Sequence, residues 1–219
     1  MKKHPRYIPA FHFHWLTRWY DPIMRRLFPE AALKTALIAQ AHIQPGQDVL
    51  DVGCGTGTLT LLIKQTQPNA AVYGLDADPQ VLDIARRKIE QAGETIVLQQ
   101  GTATHLPYPD GSFDRVFASL MLHHLTRQDK LQALREAFRV LKPGGELHVA
   151  DFGKPHGSVM WLISWVVRWF EEVHDNILGL LPVFIADAGF HPMEETTRYR
   201  TVVGTIALYH ACKPIRDDL

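Results

Sequence analysis

Val49-Leu50-Asp51-Val52-Gly53-Cys54-Gly55-Thr56-Gly57-Thr58 is the stretch whose reading decides the fold of this chain. A short apolar run ends in an acid. Three glycines follow at alternate positions, and an apolar helical pattern begins at Leu59. The order predicts a strand, a tight turn and a helix. Glycine suits such a turn because it accepts positive φ and lacks a Cβ, so a ligand can approach the backbone closely. A second acid, Asp76, closes the next strand-like run, Val72-Tyr73-Gly74-Leu75-Asp76. An acid about 20 residues beyond a glycine turn suits a ribose with two free hydroxyls. The pair predicts a nucleoside-containing cofactor across the C-terminal edge of a parallel sheet.

The dinucleotide fingerprint is G-x-G-x-x-G, which brings a pyrophosphate to a helix N-terminus. Here the pattern is G-x-G-x-G, and Thr58 stands where the third glycine of that fingerprint would be. Asp51 just before the turn repels phosphate and favours a nearby cation. S-adenosylmethionine has a ribose, a sulfonium cation and no phosphate, so it fits this charge pattern better than NAD.

Four segments occur in order: DVGCGTGTLTL, GLDADPQVLDIARRK, LPYPDGSFDRVFASLMLHHL and EAFRVLKPGGELHVADF. Together they resemble the class I S-adenosylmethionine-dependent methyltransferases, in the branch that includes quinone-biosynthesis and small-molecule methyltransferases. The match runs over about residues 45–153 and weakens at both ends. The resemblance implies cofactor contacts from Asp51, Gly53, Cys54, Gly55, Thr56, Gly57, Asp76, Ala77, Thr102, Ala103 and Ser119, with S-adenosylhomocysteine as product. One departure is Thr102, where the family often has an acid that accepts from the adenine amino group. A hydroxyl accepts more weakly than a carboxylate.

Outward from the glycine turn, strands are expected near 48–52, 71–76, 95–100, 113–119 and 145–151, with helices near 57–66, 79–91 and 127–140. Pro79 suits a first helical turn, and Lys142-Pro143-Gly144-Gly145 reads as a turn. Two β-like runs, 193–203 and 205–212, read as an antiparallel hairpin at the sheet edge. The fold class is α/β: a Rossmann-like, doubly wound, mostly parallel seven-stranded sheet with its last strand antiparallel, plus N-terminal helices at 12–28 and 30–42. Residues 1–44 read as an N-terminal helical cap on a domain spanning 45–219, within which 154–182 form a helical lid or substrate segment. Trp15, Trp19 and Tyr20, and Trp161, Trp165 and Trp169, recur at helical spacing in the cap and the lid. Such stripes pack on the sheet, cover an apolar pocket or touch a membrane surface.

No catalytic group is unambiguous. His124 is suited as a base near neutral pH, beside an adjacent His123 that cannot share its pocket from a regular helix. Asp151 ends the fifth strand and either deprotonates a substrate hydroxyl or satisfies backbone donors. Tyr20 resembles a tyrosine that closes over the cofactor in related enzymes. No His/Cys/Asp set along the chain has metal-ligand spacing. The 219 residues carry 23 Lys and Arg against 23 Asp and Glu, a balance without the basic excess of nucleic-acid binders. The two cysteines read as reduced thiols of a cytoplasmic protein, and no apolar run reaches bilayer-spanning length. The expected activity is methyl transfer to a small apolar acceptor such as a lipid or a quinone precursor. The alternatives are a non-catalytic cofactor-binding protein and an NAD-dependent oxidoreductase.

Overall fold

The computed structural model describes residues 30–155, 174–201 and 204–215. Helix α1 (Glu30–Gln40) leads into β1 (Asp48–Val52), the glycine turn and α2 (Thr58–Thr66). Then come β2 (Ala71–Asp76), α3 (Pro79–Gln91), β3 (Val97–Gln100), β4 (Phe113–Ser119), a 3-10 turn (Leu122–His124) and α4 (Arg127–Val140). Strand β5 (Leu141–Phe152), short α5 (His174–Ile177), α6 (Leu181–Asp187), β6 (Met193–Thr201) and β7 (Gly204–Cys212) complete the described elements. The expected helix over 12–28, and most of the helical segment over 154–182, lie outside the described residues.

The sheet has seven strands in the order β3-β2-β1-β4-β5-β7-β6. Strands β1 to β5 are parallel, and β7 inserts antiparallel between β5 and β6. The chain moves outward from β1 to β2 and β3, then returns to place β4 on the other side of β1. This reversal opens a crevice beyond the carboxyl ends of β1 and β4, where ligands bind in open α/β sheets.

Alternation along the strands explains the two cores. Leu50, Val52, Val116, Leu147 and Val149 face α4 and α6, meeting Leu134, Ala137, Leu181 and Ile185. Val49, Phe117 and Ala150 face the other way, onto Leu33, Leu37 and Ile38 of α1 and Leu59 and Ile63 of α2. Helix α1, placed with the cap by the sequence reading, thus packs directly on the sheet. Asp78 caps α3 by accepting the Gln80 N–H at 2.8 Å, with Pro79 in the first turn.

Strand β5 departs from expectation by beginning at Leu141 rather than near 145. Its pairing with β4 steps from Phe113↔Leu141 to Arg115↔Glu146, so Lys142–Gly145 bulge from within a longer strand, with Gly144 at φ 75°. Strand β3 begins at Val97, two residues later than expected. The loop after β3 is pinned by Arg139, which donates to the carbonyls of Leu106 and Tyr108 and pairs with Asp110 and Glu136. Among the described residues no helix is long and apolar enough to cross a membrane.

Leu37 is fully buried between α1 and the sheet. Leu37→Ala should lower unfolding free energy by about 2–5 kcal/mol, read from urea denaturation. A loss under 1 kcal/mol would show that α1 is not part of the core.

Candidate functional site

Four polypeptide segments meet at the carboxyl edge around the glycine turn. Gly53, Gly55 and Gly57 all have positive φ, at 71°, 53° and 70°. Each glycine answers a different need. A Cβ on Gly53 would stand 2.8 Å from the Met121 Cβ, and one on Gly57 would stand 3.0 Å from the Ala85 Cβ. Those two glycines permit close approach of the β4 loop and of α3. A Cβ on Gly55 would meet nothing within 4 Å, so this glycine faces open space. The N–H groups of Gly53 and Cys54 both donate to the Leu75 carbonyl, at 2.8 and 3.0 Å, docking the turn on the end of β2. From α3, Lys88 Nζ donates to Thr58 Oγ1 at 2.7 Å and Thr56 Oγ1 at 3.2 Å.

Asp76 belongs to the same structure. Its Oδ2 accepts the Gly55 N–H at 2.8 Å and its Oδ1 accepts the Asp78 N–H at 3.0 Å. Asp78 is the cap of α3, as its place before Pro79 suggests, yet Asp76 is not left free of backbone. Each carboxylate oxygen keeps further acceptor capacity, since an ionised carboxylate offers about four lone-pair sites. Beside it, the loop after β3 is tied to β2 by the Gly101 N–H on the Asp76 carbonyl at 3.0 Å. Thr102 is exposed and bridges to His105, Ala103 is half-buried, and the Ala77 carbonyl accepts from Gln100.

Asp51 is 1% exposed and accepts the Thr60 hydroxyl at 2.6 Å. Burial pushes its carboxyl up to about 7 against the opposing pull of Thr60 and Lys34. It is therefore a group poised near neutrality rather than a fixed charge. Cys54 is a buried thiol whose pKa is raised by burial and by the neighbouring Asp51 and Asp76, so it stays protonated.

On the β4 side, Leu120 holds φ 54°. A bulky residue in this region is strained, and the strain sits directly at the crevice. The neighbouring Ser119 Oγ is buried with no hydrogen-bond partner among the described residues.

Asp151 is 0% exposed and saturated. Its Oδ2 accepts the N–H groups of Leu122 at 2.9 Å and His123 at 3.3 Å. Its Oδ1 meets His123 Nδ1 at 2.9 Å, the Phe152 N–H at 2.7 Å and Asn176 Nδ2 at 3.2 Å. Despite burial, these partners hold its pKa below the usual carboxylate value. The geometry assigns Asp151 to fixing the β4 loop and the return from the 156–173 segment, and leaves it unsuited to take a substrate proton. Burial of part of the His124 ring, together with His123 at 4.0 Å between ring centroids, lowers His124 to about 4, which makes it a weak base. Tyr20 lies outside the described residues.

The sequence reading missed one grouping. Glu146, His148 and His210 bring ligand atoms within 4.8 Å of one another, although their spacing along the chain is unremarked as a ligand set. The signal was present as Glu-x-His and His-x-Cys, alternate positions that share one face of a strand.

Residues 49–145 match a family model described as a methyltransferase domain. The chain is 38% identical over 165 residues to a demethylmenaquinone methyltransferase of Lactiplantibacillus plantarum, covering 74% of this chain and 67% of that protein. It is 35% identical over 155 residues to the demethylmenaquinone methyltransferase of Symbiobacterium thermophilum, covering 69% of this chain and 59% of that protein. The match thus spans about three fifths of the length of that relative. The fold is similar to that of the YcgJ protein from Bacillus subtilis, with TM-score 0.69 and 18% identity over 84% of this chain and 99% of that one.

Asp151→Ala should cost about 3–5 kcal/mol, because buried donors on three elements lose their acceptor. Its folded pKa is depressed, so the stability it lends is present above the ordinary carboxylate pKa of about 3.9 and is lost as pH falls through the lower folded value. Acid unfolding of Asp151→Asn should therefore show a shallower pH dependence below about pH 4. An acid transition identical to that of the parent would remove Asp151 from this role.

Proposed function

The chain belongs to the class I S-adenosylmethionine-dependent methyltransferases, and we propose that it methylates a small apolar acceptor of the quinone type. The observation that carries the cofactor assignment is the coupling of Asp76 to Gly55. A carboxylate with spare acceptor capacity stands beside a glycine whose missing Cβ faces open space. The buried Ser119 hydroxyl, lacking a partner among the described residues, supplies a further polar atom at the same edge. The quinone class is supported by the demethylmenaquinone methyltransferases that this chain resembles at 35% and 38% identity.

The donor set fits the cofactor. Asp76 suits two ribose hydroxyls, each carboxylate oxygen accepting one backbone N–H and one hydroxyl. Asp51 lends negative character near the cationic end, and the turn carries no phosphate-binding third glycine. When bound, S-adenosylmethionine would supply an electrophilic methyl on a sulfonium, transferred in one displacement that leaves the electron pair on sulfur and releases the acceptor proton to solvent. With Asp151 saturated and His124 weakly basic, the described residues contribute binding and alignment rather than a buried base. Alignment alone is worth roughly 7–11 kcal/mol.

Titration calorimetry with S-adenosylhomocysteine, paired with methyl transfer to a reduced demethylated naphthoquinone, tests the reading. Binding and turnover are expected in the parent. Asp76→Ala should bind about tenfold or more weakly, the loss of hydrogen bonds to a charged acceptor being worth about 1.5–3 kcal/mol. Unchanged affinity would sink the ribose assignment, and binding without turnover on any quinol would point to a cofactor-binding protein.

Asp51 adds a pH signature. Burial raises its carboxyl to about 7, so it gains negative charge as pH rises through neutrality from pH 6 to pH 8. Affinity for cationic S-adenosylmethionine should rise over that interval by up to roughly tenfold. Asp51→Asn should flatten the rise, and a parent profile already flat would contradict the placement.

A further inference from the structure

Away from the carboxyl edge, β5 and β7 bring three coordinating side chains, Glu146, His148 and His210, together on one face, with ligand atoms within 4.8 Å of one another. The antiparallel register sets Glu146 opposite Cys212 and His148 opposite His210, and directly opposed residues hold their Cβ atoms about 4.5–5.5 Å apart. This face is the one covered by α1, since Ala150, Ile206 and Leu208 of the same alternation pack with Leu33 and Leu37. The separations are 3.2 Å from His148 Nε2 to Glu146 Oε2 and 3.1 Å from His210 Nε2 to the same oxygen. Cys212 Sγ lies 3.6 Å from His210 Nε2. Ligand atoms around a tetrahedral zinc stand about 3.3–3.6 Å apart, given metal–nitrogen and metal–sulfur bonds of about 2.0 and 2.3 Å.

A second observation points into the same space. The His148 ring is 0% exposed, and its Nε2 has no well-formed hydrogen bond, only the Glu146 carboxylate oxygen at 3.2 Å. A buried ring nitrogen so poorly satisfied favours a better partner. Glu146 and His210 remain partly exposed, which gives a cation an entry path.

We propose that Glu146, His148 and His210 form a binding site for a zinc-type divalent cation that ties the β6–β7 hairpin to the parallel sheet, with water completing the coordination. Two imidazoles with one carboxylate select a borderline-soft ion rather than magnesium or calcium. The site lies in mid-sheet, several residues before the carboxyl end of β5, so its role is structural and independent of methyl transfer. Neighbouring groups set its strength. Arg115 occupies the other Glu146 oxygen at 3.1 Å, leaving Oε2 for the cation while lowering the site's net negative charge. Gln40 Nε2 stands 3.2 Å from His148 Nδ1, and Thr196 donates to Gln40 Oε1 at 2.7 Å. Coordination through Nε2 places the ring proton on Nδ1, so Gln40 Nε2 must turn from the ring while keeping its donation to the Tyr209 carbonyl at 3.2 Å. Glu194, 3.5 Å from His210 Nδ1, orients the second ring, as outer-shell carboxylates do for metal-bound histidines.

The test uses the full chain, purified without a histidine tag and stripped by chelator. Zn2+ is titrated by calorimetry, and Co2+ by visible absorption. One equivalent is expected at micromolar affinity or tighter, with a rise in thermal midpoint. Co2+ should give tetrahedral bands that are lost in His210→Gln. His210→Gln should weaken binding about a hundredfold while leaving the metal-free thermal midpoint within a few degrees of the parent. A His12→Gln/His14→Gln variant controls for the N-terminal histidines and should bind as the parent does. Substoichiometric binding, undiminished binding in His210→Gln, or loss of binding only in the N-terminal variant would overturn the site.

Discussion

The glycine turn can exist only because β2 receives it. Two of its N–H groups share the Leu75 carbonyl and a third reaches the Asp76 carboxylate. Gly53, Cys54 and Gly55 satisfy their donors in this way, and Gly57 donates to the Cys54 carbonyl at 2.9 Å, while the chain bends from strand into helix within a few residues. The parallel pairing of β1 with β2, Asp51↔Gly74 and Val52↔Leu75, puts those acceptors at the right height. Gly74 contributes by being small, because a Cβ there would stand 2.8 Å from Leu98 and 3.1 Å from the Cys54 sulfur. Turn, second acid and crevice are therefore one construction, and the order of strands around β1 follows from needing β2 on one flank and β4 on the other.

Three carboxylates at this edge illustrate how environment divides labour among identical groups. Asp51, buried with one hydroxyl, is pushed toward neutrality. Asp151, buried with five donors, is held ionised. Asp76 remains half-exposed and braces the backbone with acceptor capacity to spare. Only Asp76 combines charge, access and unfilled lone pairs. The difference comes from donor count, since the same residue type sits at a strand end in each case.

Much of this was legible in the residues. The apolar runs ending in Asp51 and Asp76, with a glycine turn between them, carry local information, and so does the Asp78-Pro79 cap. The β6–β7 hairpin could be read from the two β-like runs joined around Gly204, and the resemblance implied that the last strand inserts antiparallel. What could not be read depends on partners far along the chain. The role of Asp151 is set by Asn176 and by the N–H groups of Leu122 and His123. The early start of β5 reflects its register against Phe113, which hides a strand beneath a Pro-Gly-Gly turn signal. The grouping of Glu146 and His148 with His210 spans more than 60 residues and arises only when β7 pairs with β5.

The most direct measurement of the central claim is a crystal structure of this chain with S-adenosylhomocysteine. The account predicts adenosine across the carboxyl ends of β1 and β2, its sulfur end toward β4, with both ribose hydroxyls on the Asp76 carboxylate and the ligand passing over the Gly55 backbone. A nucleoside bound elsewhere, or one at this edge whose ribose does not touch Asp76, would contradict it.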